Sequence, residues 1–469
     1  MEEEKFGNLE DEIAGIVQRY EEMRKKDATY FFDVSEFETI IDYYLELNDV
    51  SYAFDAAEAA ARQHPGSVSL RLRKAKVLID KGRALEALKS VKMLESIEPG
   101  NYEVYIIKGA ALGMLGDIQG TRKNFDYALA LDPEDEVNIL LSITSILHNL
   151  NHYDLLIPYL KRLITIEPFV FTHIYDLAFA YEKLNEHERS IEFYNRFLDN
   201  DPYSDSAWYN LGILYNKLGK YDRALGCYDY ALAVNPDNFF ALFNKGNILS
   251  NTGKFEEALN AYMEYLEFED ESSEALTYAG ECYDKLGDKV AAKKLYREAI
   301  EYDPDFAEPW FGLGMVEMSL SMDTESVHHF RKATELDPEN PEYWYYLGKA
   351  YYRTGIHKSA VRSFVEALKL DPFYDTVWAD IGRLIISEKA YNHIILMLER
   401  ALKKVGDVHG LRYVLASSYL HKGEKERCYD QLVIAASSSD DEFNTFADLF
   451  PDEILDERLR DLLNNKLKN

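Results

Sequence analysis

The side chains best suited to metal or nucleophile chemistry in this 469-residue sequence are its eleven histidines and three cysteines. Their spacing offers little of either. His148 and His152 stand four apart, the interval that puts two imidazoles on one helical face, but Asn151 between them reads as a turn and separates them. His328 and His329 are adjacent and cannot face the same way on a helix. The acidic run Glu267-Phe268-Glu269-Asp270-Glu271 lacks the alternating ligands and turn glycine of a calcium loop, so a solvated loop is expected. Cys227, Cys282 and Cys428 are far apart and odd in number; they imply no disulfide framework and read as small buried apolar residues. No phosphate-cradling glycine loop, GxSxG elbow or HExxH pair is present. The expectation is a protein that is not an enzyme, with no catalytic residue, metal or cofactor.

The elements that must position these residues are set by a repeat. Over residues 205–238, Trp208, Leu211, Gly212 and Tyr215 fall on one helical face. Gly219 stands where that helix must stop, and Ala224, Tyr228 and Ala231 form the stripe of a second helix. Pro236 closes the unit. Proline recurs at 65, 99, 133, 168, 202, 236, 304, 338 and 372, in steps of 34 or 35 residues with one doubled. A period of this size means stacked helical units.

Twelve units start at residues 34, 68, 102, 137, 171, 205, 239, 273, 307, 341, 375 and 409. Their eighth position is Gly or Ala in ten, the exceptions being Ile41 and Thr144. A small residue there lets two helices approach. The fifteenth position is Gly in seven and Asn in three, the residues that tolerate a left-handed helix end. All four tryptophans, Trp208, Trp310, Trp344 and Trp378, occupy the fourth position. Two units depart. Thr144 and Leu156 replace small residues in 137–170. In 375–408, Lys389 replaces the turn glycine, Ile394 the alanine and Gly406 the proline. Their joints are expected to bend differently.

The pattern of Trp, Leu-Gly, Tyr, Ala, Phe/Tyr, Ala and Pro in 205–238, met again by Trp344, Leu347-Gly348, Tyr351, Ala360, Phe364, Ala367 and Pro372, resembles the tetratricopeptide repeat (TPR). The resemblance covers about residues 34–440. It implies an all-α fold, a right-handed superhelical solenoid of stacked antiparallel helix pairs, whose first helices line a concave groove for a peptide or partner helix. It further implies that positions 2, 5, 6, 9, 12 and 13 of each first helix face that groove. Carried onto units five to ten, those positions give a peptide-binding lining of Tyr175, Asp176, Phe179, Tyr209, Asn210, Phe240, Phe243, Asn244, Asn247, Tyr278, Phe311, Tyr345, Tyr346 and Tyr352. Stacked amides can hold a peptide backbone, and aromatic faces grip apolar or cationic side chains. Co-chaperones of this family clamp chaperone carboxyl-terminal tails with Lys and Arg at set positions. Here Tyr175 and Phe179 precede Asn210, and Phe240 follows it, so that clamp is rejected.

Residues 1–33 precede the array. Leu9, Ile13, Ile16, Val17, Tyr20 and Met23 make a helical stripe expected to cap the first unit, with a dimerisation helix as the alternative. After residue 440, Phe443, Phe446, Leu449 and Phe450, then Ile454, Leu455, Leu459, Leu462 and Leu463, are expected to form one or two closing helices, and Ser437-Ser438-Ser439-Asp440-Asp441 a loop. The net charge of −31 argues against nucleic acid and anionic membranes and favours a basic or apolar-basic protein ligand. No apolar run reaches membrane-spanning length and the acidic N-terminus lacks a signal-peptide pattern, so a cytoplasmic location is expected. The reading is a protein–protein interaction scaffold or adaptor. The alternative is a structural component that self-associates through its terminal helices, or a regulatory subunit.

Overall fold

The computed structural model describes residues 2–26, 29–406, 408–435 and 444–467. The loop expected at 437–441, and Phe443, lie outside them. The chain divides into two compact units, Met1–Val234 and Asn235–Asn469. Among the described residues all regular structure is helical.

In the N-terminal unit α1 (Glu2–Lys25) precedes six pairs: α2 (Val34–Glu46) with α3 (Val50–Gln63), α4 (Val68–Asp80) with α5 (Ala84–Ile97), α6 (Tyr102–Met114) with α7 (Ile118–Leu131), α8 (Glu136–Asn149) with α9 (Tyr153–Ile166), α10 (Phe171–Lys183) with α11 (His187–Leu198), and α12 (Asp205–Lys217) with α13 (Tyr221–Val234). The C-terminal unit continues with α14 (Phe239–Asn251) and α15 (Phe255–Tyr265), α16 (Ser273–Leu286) and α17 (Lys289–Tyr302), α18 (Ala307–Ser319) and α19 (Asp323–Leu336), α20 (Pro341–Arg353) and α21 (His357–Leu370), α22 (Asp375–Ser387) and α23 (Tyr391–Val405), and α24 (His409–Lys422) and α25 (Lys425–Ala435). Every first helix starts within one residue of the start read from the sequence.

Three local devices set each pair. The first is the turn. The fifteenth position has positive φ in all twelve repeats, including Ser321 (59°) and Lys389 (52°), where neither Gly nor Asn is present. A left-handed residue there ends the first helix and reverses the chain.

The second is a reciprocal fit of volumes. A Cβ on Gly212 would stand 2.6 Å from the Tyr228 ring, and one on Gly246 2.7 Å from the Tyr262 ring; Gly109, Gly280, Gly314 and Gly348 meet Phe125, Tyr296, Phe330 and Phe364 in the same way. The ring always comes from the twenty-fourth position. In the first repeat the sizes are exchanged, with buried Ile41 at the eighth position and Ala57 at the twenty-fourth. Total volume, not a particular residue, is what the packing requires.

The third is a hydrogen bond from the fourth position. Trp208, Trp310, Trp344 and Trp378 each donate Nε1–H to the carbonyl of the proline six residues earlier, at 2.9, 3.1, 2.9 and 2.9 Å. The Tyr105 hydroxyl donates to the Pro99 carbonyl at 3.1 Å, and Arg71 reaches the Pro65 carbonyl. In these six repeats the bond ties the repeat to the end of the one before.

The irregularity expected at 375–408 is present. Gly382 is covered not by a ring but by Leu449 of the closing segment, and α22 packs on α24 more than on α23. Phe446, Leu449, Phe450, Leu455, Leu459 and Leu463 are buried, with α26 (Glu457–Leu467) closing the end. At the other end α1 buries Val17 and Tyr20 against Phe32 and Tyr44, with Arg19 paired to Glu36 and Arg24 to Asp55.

Candidate functional site

In the N-terminal unit a cleft of about 980 Å³ opens along α2, α4, α6 and α8. Leu72, Ile106 and Leu141, all at the fifth position, form an aliphatic row, with Leu45 and Ile79 at the twelfth. Asp42, Glu46, Asp80 and Glu103 stand around them with Arg73 and Lys76. Arg73 is held by Glu38 and Asp42 at 3.1 and 2.9 Å. Asp80 is open to solvent yet crowded by protein, and that crowding holds its carboxyl above its ordinary value, opposed by Lys76. These residues fall in the groove-facing register but lie in repeats where sequence reasoning named none. Reading the same positions in units one to four would have found them.

Further along this unit, Tyr175, Asp176 and Phe179 share one face of α10. The Phe179 ring stacks on His148 with centroids 5.3 Å apart, Tyr175 lies 6.5 Å beyond it, and Lys183 Nζ sits 4.9 Å from its centroid. Burial raises the Asp176 carboxyl, with His148 and His173 opposing. On α12 Tyr209 is half-buried, 6.0 Å from the Tyr228 ring, and the Asn210 amide donates to its own helix at the Ser206 carbonyl, 2.8 Å.

In the C-terminal unit Phe240 is 59% exposed on α14, and Phe243 is half-buried among Tyr262, Tyr265 and Tyr278 with centroids 5.2–5.9 Å away. The Asn244 amide donates to the Phe240 carbonyl at 3.1 Å. Burial, then the neighbouring Glu274, pushes the Tyr278 phenol up to about 12. Phe311 packs between Phe330, Tyr343 and Tyr346, while Tyr352 is exposed and stacked on His357.

Two expected groove residues are engaged elsewhere. Tyr345 is only 7% exposed: its ring packs on Phe364 and Tyr374 and its hydroxyl donates to Asp380 at 3.1 Å, so it belongs to the core. Asn247 accepts from the Tyr262 hydroxyl at 2.7 Å, because that ring lies across the adjacent Gly246.

The histidine pairs part company. His148 stacks on Phe179, whereas His152 Nε2 meets the Gly113 carbonyl at 3.1 Å. His329 Nδ1 lies 2.6 Å from Glu317, whereas His328 is exposed. The run 267–271 is an exposed turn. All three cysteines are free and buried, and burial pushes their thiols up to about 12, 11 and 12 for Cys227, Cys282 and Cys428. No described group of three or more His, Cys, Asp and Glu is placed to hold a metal. No described helix is long and apolar enough to cross a membrane.

Profiles described as tetratricopeptide repeat match residues 174–204, 206–238, 227–260, 273–306 and 341–374, and one described as TPR repeat matches 316–355. Four of these matches, 174–204, 206–238, 273–306 and 341–374, coincide with helix pairs described above, whereas 227–260 and 316–355 run from one pair into the next. The chain is a tetratricopeptide-repeat protein. No curated protein sequence matches this TPR protein. Among solved structures it is similar to the MamA protein, at 22% identity over 36% of this chain and 92% of that one, TM-score 0.33. It is also similar to YrrB, described as a TPR protein with an unusual peptide-binding site, at 21% identity over 42% and 97%, TM-score 0.34. The APC/C hetero-tetramer Cut9-Hcn1 aligns at 15% identity over 82% of this TPR protein and 89% of that chain, TM-score 0.39. Its repeats support a general role as a protein-interaction scaffold.

Proposed function

We propose that the protein is a non-catalytic adaptor that takes a peptide or helix of a partner on the concave face of its first helices. The observation that carries this reading is the cleft on α2, α4, α6 and α8, whose lining falls in the repeat positions that face a groove in this family. In its aliphatic row Leu72 and Ile106 form the buried floor of the cleft and Leu141 is exposed above them, offering contact to an apolar side chain, the mode by which an amphipathic segment lies in a groove. The carboxylates around that row favour Lys or Arg on the incoming segment, as does the net charge of −31. The faces carrying Tyr175 and Phe179, Tyr209 and Asn210, and Phe240 and Asn244 are further contact points in the same reading. Free buried cysteines fit a reducing, cytoplasmic setting. Self-association through α1 draws no support from the packing, since Val17 and Tyr20 are already buried against their own chain.

The test is affinity capture from the native host with the full chain, followed by the same capture with Leu141→Arg, with Tyr209→Ala/Asn210→Ala and with Asn244→Ala. At least one set is expected to cut recovery of the principal partner by about ten-fold, a change of about 1.4 kcal/mol. Recovery undiminished in all three means the concave face is not the site.

A further inference from the structure

The second helices of the eighth, ninth and tenth repeats carry a basic stripe. Lys294, His328 and Arg362 occupy the twenty-second position of their repeats, and Arg297 and Arg331 the twenty-fifth. All five side chains are exposed. Positions three apart share a helix face, and equal positions in successive repeats line up along a stack. The helices are close enough that Arg297, on α17, and His328, on α19, both act electrostatically on His329.

In a chain with 83 Asp and Glu against 52 Lys and Arg, carboxylate partners are abundant. Yet the ion pairs of this region go to Lys289, Lys293, His329, Arg353 and His357. Among the described residues the stripe has none; Arg331 only donates to the Tyr351 hydroxyl at 2.8 Å. Nearby Glu366 is taken by Lys369. Beside the stripe Val290 is 82% exposed, and a hollow of about 650 Å³ on α17 is lined by Val290, Lys294 and Arg297 together with Glu298 and Glu301, which follow the two basic residues by four positions.

We propose that this stripe docks an acidic peptide segment of a partner protein, with Asp or Glu side chains on Arg297, Arg331 and Arg362 and an aliphatic residue against Val290. Guanidinium groups suit this role because each presents a planar fork of donors to a carboxylate. A protein segment is favoured over nucleic acid because a long polyanion meets the repulsion of the whole acidic chain, whereas a short segment meets mainly the stripe. The inference goes beyond the concave reading: it concerns second helices and a ligand of opposite charge, so either can fail alone.

The test is fluorescence anisotropy of a labelled peptide alternating Glu with Leu, titrated with the full chain. Reversal of three stripe charges, Lys294→Glu/Arg297→Glu/Arg331→Glu, is expected to weaken binding by at least about ten-fold. The milder Arg297→Gln/Arg331→Gln variant weakens it less, and keeps the test valid should the reversal disturb folding by circular dichroism. Lys89→Glu/Lys92→Glu/Lys123→Glu makes the same change in net charge at the same two positions of the second and third repeats, and is expected to weaken binding by less than about two-fold. Equal losses in the two reversed variants, no binding by the wild-type chain, or equally tight binding of a labelled single-stranded DNA of the same charge overturns the proposal.

Discussion

Lys389 adopts a left-handed backbone, φ 52°, that costs an L-residue roughly 1–2 kcal/mol. It does so because the two helices on either side are held by their own packing and leave the turn no other course. Its side chain is exposed, so replacing it disturbs nothing else. Lys389→Gly is therefore expected to raise the stability of the C-terminal unit by roughly 0.5–1 kcal/mol, after the entropy glycine adds to the unfolded chain. Urea unfolding measures it; an unchanged or lower midpoint would mean that no strain resides in the turn. Ten of the twelve turns were legible from Gly or Asn alone. Ser321 and Lys389 were not, because neither residue marks a left-handed turn and only the spacing of the repeat reveals it. The four tryptophans were legible as a register but not as a reason. The reason is a donor placed to reach the preceding proline carbonyl, which Tyr105 and Arg71 supply as well.

Between helices, the feature sequence reasoning did not anticipate is the buried carboxylate of Glu317. It is 2% exposed at the eleventh position of its repeat, where Tyr215 and Tyr351 stand in others, and it holds Lys293 at 3.0 Å and His329 at 2.6 Å. This knot joins α17, α18 and α19. Such a knot is expensive to break from one side, because the remaining charge stays buried. Burial lowers the pKa of His329 below its ordinary 6.5; Glu317 opposes this, and His328 and Arg297 add to it. The folded protein thus binds fewer protons than the unfolded chain just below pH 6.5. Its contribution to stability is complete above that pH and declines as the pH falls. The thermal midpoint of the wild-type chain is expected to drop on acidification from neutral pH, and to drop less in His329→Gln. Equal slopes in the two proteins would show that this imidazole is not the group responsible. The Gly-to-ring fit was half legible. The small residue stood out in the sequence, whereas its partner sixteen residues on appears only once the helices are folded together. The cleft on α2, α4, α6 and α8 escaped notice for a related reason. Leu72 and Ile106 are buried and read as core in a sequence, only Leu141 of the row is exposed, and the search for a groove followed aromatic and amide side chains instead. Tyr345 errs in the other direction, since the fifth position borders both groove and core and a large ring there turns inward.

For the molecule as a whole, the acidic balance and the repeat imply a surface made for other proteins, with an apolar cleft edged by carboxylates on first helices and a basic stripe on second helices. The repeat was legible almost completely, because each unit makes the same demands on size and backbone sign. The partner was not, because nothing in a repeat that stabilises a pair depends on what the pair binds. The sharpest experiment is site-specific photo-crosslinking in the native host, with the reactive group at Leu141 in the cleft on α2, α4, α6 and α8 and, in a separate chain, at Lys123 on a second helix of the same unit. The concave reading predicts partner adducts from position 141 and none from position 123. Adducts from 123 with none from 141 would contradict it.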